Sequence, residues 1–259
     1  MDLVYDRRGS GEPLLLLHGI GDRWQTWAPV LDLLAAEHDV IAVDLPGFGA
    51  SPPLPPGSAY DLDDFVAAVE GLCADLGVER PHVAGNSLGG MIALELGRRG
   101  SARTVTALSP AGFWNGPEIA YATAGLRFLR AVARSSPPGL AVRVLATRAG
   151  RAVMTGLIYG RPGSYDPDEL MVGAAALANA PGFARTLSNG LRVRYHATIS
   201  VPVTIAWGTR DRLLLPWQAA RANRAVPGVR GVWLPGCGHV PMGDDPAMVA
   251  KVILEAAKL

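Results

Sequence analysis

The chain has 259 residues and a mass of 27.2 kDa, and 49% of its residues are hydrophobic while 18% are charged. Such a composition can bury a sizeable core, which excludes intrinsic disorder as the main state of the chain. The 24 Lys and Arg residues against 23 Asp and Glu residues give a formal net charge of +1. This balance argues against nucleic-acid phosphate as the main partner.

Apolar runs that end in Gly, Pro or Asp predict strands, which in chain order lie at 3–5, 14–17, 40–43, 82–84, 105–108, 203–207 and 232–234. Segments with helical spacing of apolar residues lie between the earlier runs, at 28–37, 63–76 and 91–99. Continuous apolar runs are typical of strands buried on both faces. The pattern therefore predicts an α/β fold with a mostly parallel, doubly wound sheet. The first run is expected to form an antiparallel hairpin at the sheet edge, turning at 8–11.

One region interrupts the alternation of strands and helices. From about residue 112 to 196 the sequence shows no strand-like run, only helix-like segments at 120–133, 140–157 and 167–178. We interpret residues 113–196 as a helical cap inserted into a core made of residues 1–112 and 197–259. Ligands of open α/β sheets bind outside the carboxyl ends of the strands, so a cap placed there would wall the binding cleft.

The cysteine count and the apolar runs also bear on the cellular setting. Cys73 and Cys237 are too few for a disulfide framework, so the chain suits a reducing compartment. Its first residues show no secretory signal, and no apolar run approaches the roughly 20 residues that a membrane span needs. We expect a soluble cytoplasmic protein, and the sequence does not predict an oligomeric state.

The pentapeptide Gly85-Asn86-Ser87-Leu88-Gly89 fits the pattern G-x-S-x-G, at a point where a strand-like run changes to a helix-like one. The turn that lifts a serine above a sheet is strained. Side chains two residues to either side of the serine would collide with neighbouring backbone, which explains the glycines. In a chain with 31 glycines, however, the pentapeptide alone also fits an ordinary turn.

A serine nucleophile needs a histidine base, and that histidine needs a carboxylate to fix its tautomer and stabilise its cationic form. His239 follows the last predicted strand in a glycine-rich loop, and Asp211 follows the preceding strand. The carboxyl ends of parallel strands meet at one edge of a sheet. The sequence therefore predicts that Ser87, Asp211 and His239 converge there.

The chain resembles the α/β-hydrolase superfamily over nearly its whole length outside the cap. The matching segments are His18-Gly19, 44–51, the pentapeptide at 85–89, which we call the serine elbow, 208–211 and Gly238-His239. The resemblance implies that Ser87 is the nucleophile, His239 the base and Asp211 its orienting acid. It also implies that the backbone N–H groups of Ile20 and Leu88 form the oxyanion hole. This chemistry requires no metal and no organic cofactor.

Several neighbouring residues have competing interpretations. Asp44 also ends a strand, but a carboxylate that opens Asp-Leu-Pro-Gly is expected to hold its own turn. Asp244 and Asp245 are expected to cap the final helix. His18 is usually structural in the resembling family, and Cys237 lacks the partners of a nucleophile.

We predict a serine hydrolase of the carboxylesterase type, which cleaves a small-molecule ester through an acyl-enzyme. Dehalogenases and epoxide hydrolases of this fold carry Asp at the nucleophile position, where this chain has Ser87. Carbon–carbon hydrolases typically carry Gly-Pro-Gly after the His-Gly pair, where this chain has Ile20-Gly21-Asp22-Arg23. That class remains an alternative, as do an acyltransferase with the same triad and a non-catalytic ligand receptor on the same fold.

The predicted cap contains ten arginines and four acidic residues. We favour a solvated basic face, because arginine is the main basic residue throughout the chain. Alternatively, Arg127 or Arg192 holds a carboxylate or phosphate of the substrate, or the helix around residues 126–132 makes peripheral contact with an anionic membrane. Candidates for lining an acyl pocket are Trp114, Tyr121, Met154 and Tyr159.

Overall fold

The computed structural model describes residues 2–189 and 193–259, and seven strands of this part form one sheet. The strands are β1 Tyr5–Gly9, β2 Pro13–Leu17, β3 Asp39–Val43, β4 His82–Asn86, β5 Val105–Leu108, β6 Val203–Gly208 and β7 Arg230–Leu234. Their order in the sheet is β1-β3-β2-β4-β5-β6-β7. Only the β1–β3 pair of these strands is antiparallel. The predicted mostly parallel α/β sheet is confirmed.

The first strand differs from its prediction. It forms the expected antiparallel edge, but it pairs with β3, with Tyr5 opposite Val43 and Gly9 opposite Asp39. The predicted hairpin is therefore wrong. The physical reason is that β2 already hydrogen-bonds to β3 on one side and to β4 on the other, so it offers no edge to β1.

Ten α-helices accompany the described strands: α1 Ala28–Ala35, α2 Leu62–Asp75, α3 Leu88–Arg99, α4 Gly116–Ser135, α5 Pro138–Leu145, α6 Arg148–Thr155, α7 Pro167–Asn179, α8 Phe183–Asn189, α9 Gln218–Ala225 and α10 Pro246–Ala257. Within the described ranges, no helix is both long enough and apolar enough to cross a membrane.

The sheet is buried on both faces. Leu15 and Leu17 of β2 belong to one hydrophobic core, which includes residues of α2, α3 and α9. Leu14 and Leu16 belong to a second core with residues of α1 and α10. Successive side chains of a strand point to opposite faces, so these two cores lie on the two sides of the sheet. Double burial explains why the strand is a continuous leucine run.

Helices α4 to α8 lie in the chain between β5 and β6, and every regular element of this described stretch is helical. The helix-like segment at 140–157 is divided into α5 and α6. The break falls at Thr147, whose side chain accepts the N–H of Gly150 at 3.0 Å and thereby caps α6. A side-chain oxygen in this position satisfies a helix N-terminal donor and fixes a new helix start.

Candidate active site

Ser87 occupies a strained turn between β4 and α3. Its φ of +55° and ψ of −112° are rare for a residue with a side chain. A Cβ on Gly85 would lie 2.1 Å from the carbonyl oxygen of Gly89, and a Cβ on Gly89 would lie 2.2 Å from that of Leu17. Both glycines are thus required by the close approach of backbone, as the steric reasoning from the sequence predicts.

His239 and Asp211 form a buried pair in the loops that follow β7 and β6. The Nδ1 atom of His239 lies 2.9 Å from Oδ2 of Asp211. The other carboxylate oxygen, Oδ1, accepts the N–H groups of Leu213 at 2.9 Å and Leu214 at 2.8 Å. A carboxylate that is fixed in this way accepts the Nδ1 proton, which leaves Nε2 of His239 as the basic nitrogen.

Ser87 and His239 line the same cavity, whose volume is about 620 Å³. Both residues are buried, with 7% and 3% of their surface exposed. In the part of the chain that the structure describes, their side chains do not form a hydrogen bond with each other. Catalytic hydrogen bonds in ligand-free enzymes are often long and tighten only in the complex with substrate. The structure therefore joins the acid to the base, and the base and the serine line one cavity.

The N–H groups of Ile20 and Leu88 are the two donors expected for an oxyanion. Leu88 is the first residue of α3, where N–H groups have no partner within the helix. Among the described residues, neither N–H donates to another backbone group. The loop of Ile20 approaches the elbow closely, since a Cβ on Gly19 would lie 3.3 Å from the Cβ of Ser87. Such donors can bind an oxygen on which negative charge develops.

Asn86 is a site residue that the sequence does not reveal. Its side-chain Nδ2 donates to the carbonyl oxygen of His239 at 2.8 Å and to that of Leu108 at 3.0 Å. The asparagine is fully buried. It therefore holds the loop that carries His239 after β7, which we call the histidine loop, against the serine elbow. The motif leaves this position open, and 153 residues separate the two partners, so no local signal exists.

The two aspartates after His239 have different roles. Asp245 caps α10 as predicted, accepting the N–H of Met248 at 3.1 Å. The prediction for Asp244 is wrong. Its carboxylate accepts the N–H groups of Gly238 and Gly160, both at 2.8 Å, and of Arg161 at 2.7 Å. It therefore ties the histidine loop to the segment between α6 and α7.

Asp44, the alternative candidate for the acid, and Cys237, the alternative candidate for the nucleophile, have structural roles. Asp44 accepts the N–H groups of Trp24 at 2.6 Å and Ala50 at 2.8 Å, so it holds its own turn. The thiol of Cys237 is buried, and burial raises its pKa to about 12. Because the thiolate is the nucleophilic form, such a thiol is unreactive at neutral pH.

His18 is also structural. Its Nδ1 donates to the carbonyl oxygen of Gly19 at 2.7 Å, and its Nε2 accepts the N–H of Leu45 at 2.9 Å. Burial lowers the pKa of His18, which agrees with a neutral ring that donates at one nitrogen and accepts at the other. Neither nitrogen is left for proton transfer.

The sequence matches the model of the Alpha/beta hydrolase family over residues 14–252. The chain belongs to this family. It is 32% identical over 261 residues to an uncharacterised protein of Mycobacterium tuberculosis, covering 95% of this chain and 75% of that protein. It is also 33% identical over 198 residues to an epoxide hydrolase of the same organism, covering 71% of this chain and 89% of that enzyme.

Solved structures share the fold of this alpha/beta hydrolase. An enol-lactonase from Burkholderia xenovorans superposes with a TM-score of 0.78 at 19% identity, covering 99% of this chain and 96% of that one. A thermophilic esterase from Thermogutta terrifontis superposes with a TM-score of 0.72 at 23% identity, covering 98% and 92%. At these identities the likeness establishes the fold alone.

The cavity of this hydrolase contains two of the four predicted acyl-pocket residues, Met154 and Tyr159. The prediction is wrong for the other two. Trp114 is buried in the hydrophobic core beside the sheet, and Tyr121 is 46% exposed. The hydroxyl of Tyr121 donates to the carbonyl oxygen of Arg212 at 2.7 Å, and the residue does not line the cavity.

Helix α4 supplies much of the apolar wall instead, through Leu126, Leu129 and Val132. These side chains line the cavity, so most of the apolar residues on which the alternative of membrane contact depends belong to the interior. Of the apolar residues between 126 and 132, Phe128 is the large one that stays exposed, at 65%. Among the cap arginines, Arg127 is exposed, and Arg192 lies outside the described residues.

The cavity also contains a carboxyl group that the sequence does not single out. Asp22 lines it together with the loop of Gly19 to Gly21. Its Oδ1 accepts the N–H of Arg23 at 2.9 Å, and burial raises its pKa. Within residues 2–189 and 193–259, no group of three or more His, Cys, Asp or Glu side chains is arranged to hold a metal ion.

Proposed function

We propose that this hydrolase cleaves carboxylic esters through an acyl-enzyme, with Ser87 as nucleophile, His239 as base and Asp211 as orienting acid. The observation that carries the proposal is the buried Asp211–His239 pair, 2.9 Å between Oδ2 and Nδ1, at the cavity onto which the strained serine opens. A nucleophile, a base and an orienting acid around one cavity are the parts that acyl transfer needs.

In the proposed first half-reaction, the Ser87 oxygen attacks the ester carbonyl carbon while its proton passes to Nε2 of His239. The N–H groups of Ile20 and Leu88 bind the resulting oxyanion. His239 then gives the proton to the leaving alcohol, and the acyl group stays on the serine. In the second half, water attacks the acyl-enzyme with His239 as base, and the acid is released.

The cavity supports a small-molecule substrate with an apolar acyl part. Its volume of about 620 Å³ lies within the range that small-ligand sites occupy. Side chains from helices α4 to α8, the inserted helices between β5 and β6, form much of its wall: Leu126, Leu129, Val132, Leu145 and Met154. We infer that residues 113–196 act as a cap that excludes water and selects the acyl group.

The nucleophile supports ester rather than epoxide chemistry. Epoxide hydrolases of the resembling family carry Asp at the position of Ser87, where an ester intermediate is opened by water. An acyltransferase would use the same acyl-enzyme as an esterase. The two activities differ in whether an added alcohol or thiol outcompetes water, which product analysis measures directly.

A fluorophosphonate probe tests the proposal. We expect it to modify Ser87, identified by mass mapping, and we expect Ser87→Ala to lose the label. The same variant should lower kcat on a neutral p-nitrophenyl ester by at least about a thousandfold, with an unchanged unfolding temperature. Ser136 also lines the cavity, so Ser136→Ala is the matched control and should still be labelled.

Three results would contradict the proposed function. The first is a label on a different residue, and the second is near-normal turnover by Ser87→Ala. The third is no labelling at all, which a ligand receptor with an inert serine would give.

A further inference from the structure

A groove of about 290 Å³ on the surface of the inserted helices is lined by three arginines of α4, Arg127, Arg130 and Arg134. Their spacing of three and four residues places them on one face of the helix. Helix α8 forms the other wall, through Phe183, Ala184, Leu187 and Ser188. The groove therefore collects three guanidinium groups between two helices.

The positive charge of this groove is not balanced by carboxylates. Among the described residues, none of the three arginines forms an ion pair, and no Asp or Glu lines the groove. Several arginines of the sheet domain, the part of the chain that carries the seven strands, differ in this respect. Arg7 pairs with Asp39 at 2.6 Å, for example, and other such arginines bind acidic partners.

Arg130 is held in place before any ligand binds. Its Nη2 donates to the carbonyl oxygen of Ala180 at 3.0 Å, and its guanidinium carbon lies 4.6 Å from the ring centroid of Phe183. Burial and the neighbouring charge of Arg134 lower the pKa of Arg130. An anion in the groove would relieve this repulsion, and it would meet a guanidinium that has already lost its rotational freedom.

The groove adjoins the cavity of the proposed active site. Arg134 lines both, and its neighbours Val132 and Ala133 line the cavity. Arg134 is exposed, whereas Ser87 and His239 are buried. The shared arginine therefore marks a place where the apolar cavity meets solvent and positive charge.

We propose that Arg127, Arg130 and Arg134 bind an anionic group of the ester substrate, a carboxylate or a phosphate. The preferred substrate is then an ester with an apolar stretch between the reacting carbonyl and an anionic end. This inference rests on the proposed function, because it names the substrate class of the same site. The shared chemistry is an oxyanion group, which belongs either to a soluble acid or to a lipid headgroup.

The test compares p-nitrophenyl monoesters of straight-chain dicarboxylic acids, from succinate to dodecanedioate, with neutral alkanoate esters of equal length. The wild-type protein should favour the anionic ester at one range of lengths. The double variant Arg127→Gln, Arg134→Gln should lower the ratio of kcat/KM for anionic over neutral ester by about tenfold. Arg134→Glu should lower it further, and added salt should lower it in the wild type.

Arg143 is an exposed arginine of α5 that lines neither the groove nor the cavity, so Arg143→Gln is the matched control. It should leave the ratio unchanged. A second arm compares lysophospholipids with anionic and zwitterionic headgroups. Preference for the soluble monoesters identifies a free acid as the source of the anion, and preference for the anionic lipid identifies a headgroup. An unchanged ratio in both arms for the double variant would overturn the anion site.

Direct binding separates this inference from the proposed function. Calorimetric titration of the Ser87→Ala protein with a dicarboxylate needs no catalysis. Binding that disappears with Arg127→Gln, Arg134→Gln supports the anion site even if no ester is cleaved, in which case the proposed function alone fails. No binding by the parent protein, together with ester cleavage that ignores charge, would leave the proposed function standing and remove the anion site.

Discussion

Replacing Asp211 by Asn changes one contact of the site and keeps its neighbours. Oδ1 of Asp211 accepts the N–H groups of Leu213 and Leu214, and an Asn carbonyl oxygen can accept both. The Oδ2 atom, 2.9 Å from Nδ1 of His239, becomes an amide NH₂. Because this amide donates, the imidazole must accept at Nδ1 and carry its proton on Nε2. In that tautomer His239 cannot take the proton of Ser87.

The size of the effect follows from this single exchange. We expect kcat to fall by about a thousandfold to ten-thousandfold, which is ~4 to 5.5 kcal/mol of transition-state stabilisation. KM should change little, because Asp211 does not line the cavity. The free energy of unfolding should change by less than about 2 kcal/mol, since two of the three hydrogen bonds remain and a neutral one replaces the third.

Initial rates on a neutral p-nitrophenyl ester and urea unfolding measure the two quantities. Asp44→Asn is the matched control, because Asp44 also follows a strand and is also buried. Its two oxygens accept the N–H groups of Trp24 and Ala50, so the amide should reduce stability without a large loss of kcat in the folded protein. A kcat of Asp211→Asn within tenfold of wild type would refute the assignment. A larger loss for Asp44→Asn would transfer the role of the acid to Asp44.

Two further predictions concern contacts that join the inserted helices to the sheet domain. Burial raises the pKa of Glu118. Hydrogen bonds from Arg221, from Trp217 and from the N–H of Asn115 lower it by more, so the pKa lies below its ordinary value of 4.5. The ionised Glu118 therefore stabilises the folded protein above pH 4.5, and this stabilisation is lost as the pH falls through the lower pKa of the folded state. At neutral pH, Glu118→Gln should lower the free energy of unfolding, measured in urea, by about 2 kcal/mol. Asp244→Ala should lower the free energy of unfolding by about 2 to 3 kcal/mol, because the N–H groups of Gly160 and Gly238 lose their acceptor. It should also reduce kcat, because the loop of His239 loses this support.

Each of these substitutions has a control in the same chain. Glu79 is exposed, so Glu79→Gln should leave stability unchanged, and a Glu118→Gln deficit that persists in acid would contradict the sign given above. Asp245→Ala removes the cap of α10 and a partly exposed ion pair with Arg161 at 3.9 Å, at about 1 kcal/mol, and should not affect kcat. If Asp244→Ala matches Asp245→Ala in both stability and kcat, Asp244 does not position the histidine loop.

The central strands were predictable because their signal is local. A strand that is covered by helices on both faces must be apolar at every position, and residues 14–17 show this directly. The pairing of β1 was not predictable in the same way. It depends on which strand has a free edge after the sheet has formed, and this is a property of the assembled sheet.

The same distinction applies to the site. Ser87, Asp211 and His239 can be named from the sequence, because each follows its strand at a turn whose residues are adjacent in the chain. The sequence alone therefore determined which chemical groups stand at the carboxyl edge. Only the tertiary structure decided that Asn86 and Asp244 hold the histidine loop. It also decided which candidate residues line the cavity: Met154 and Tyr159 do, whereas Trp114 and Tyr121 do not. The reason is physical: a helix or loop residue can point in several directions, and packing against distant parts of the chain selects one of them.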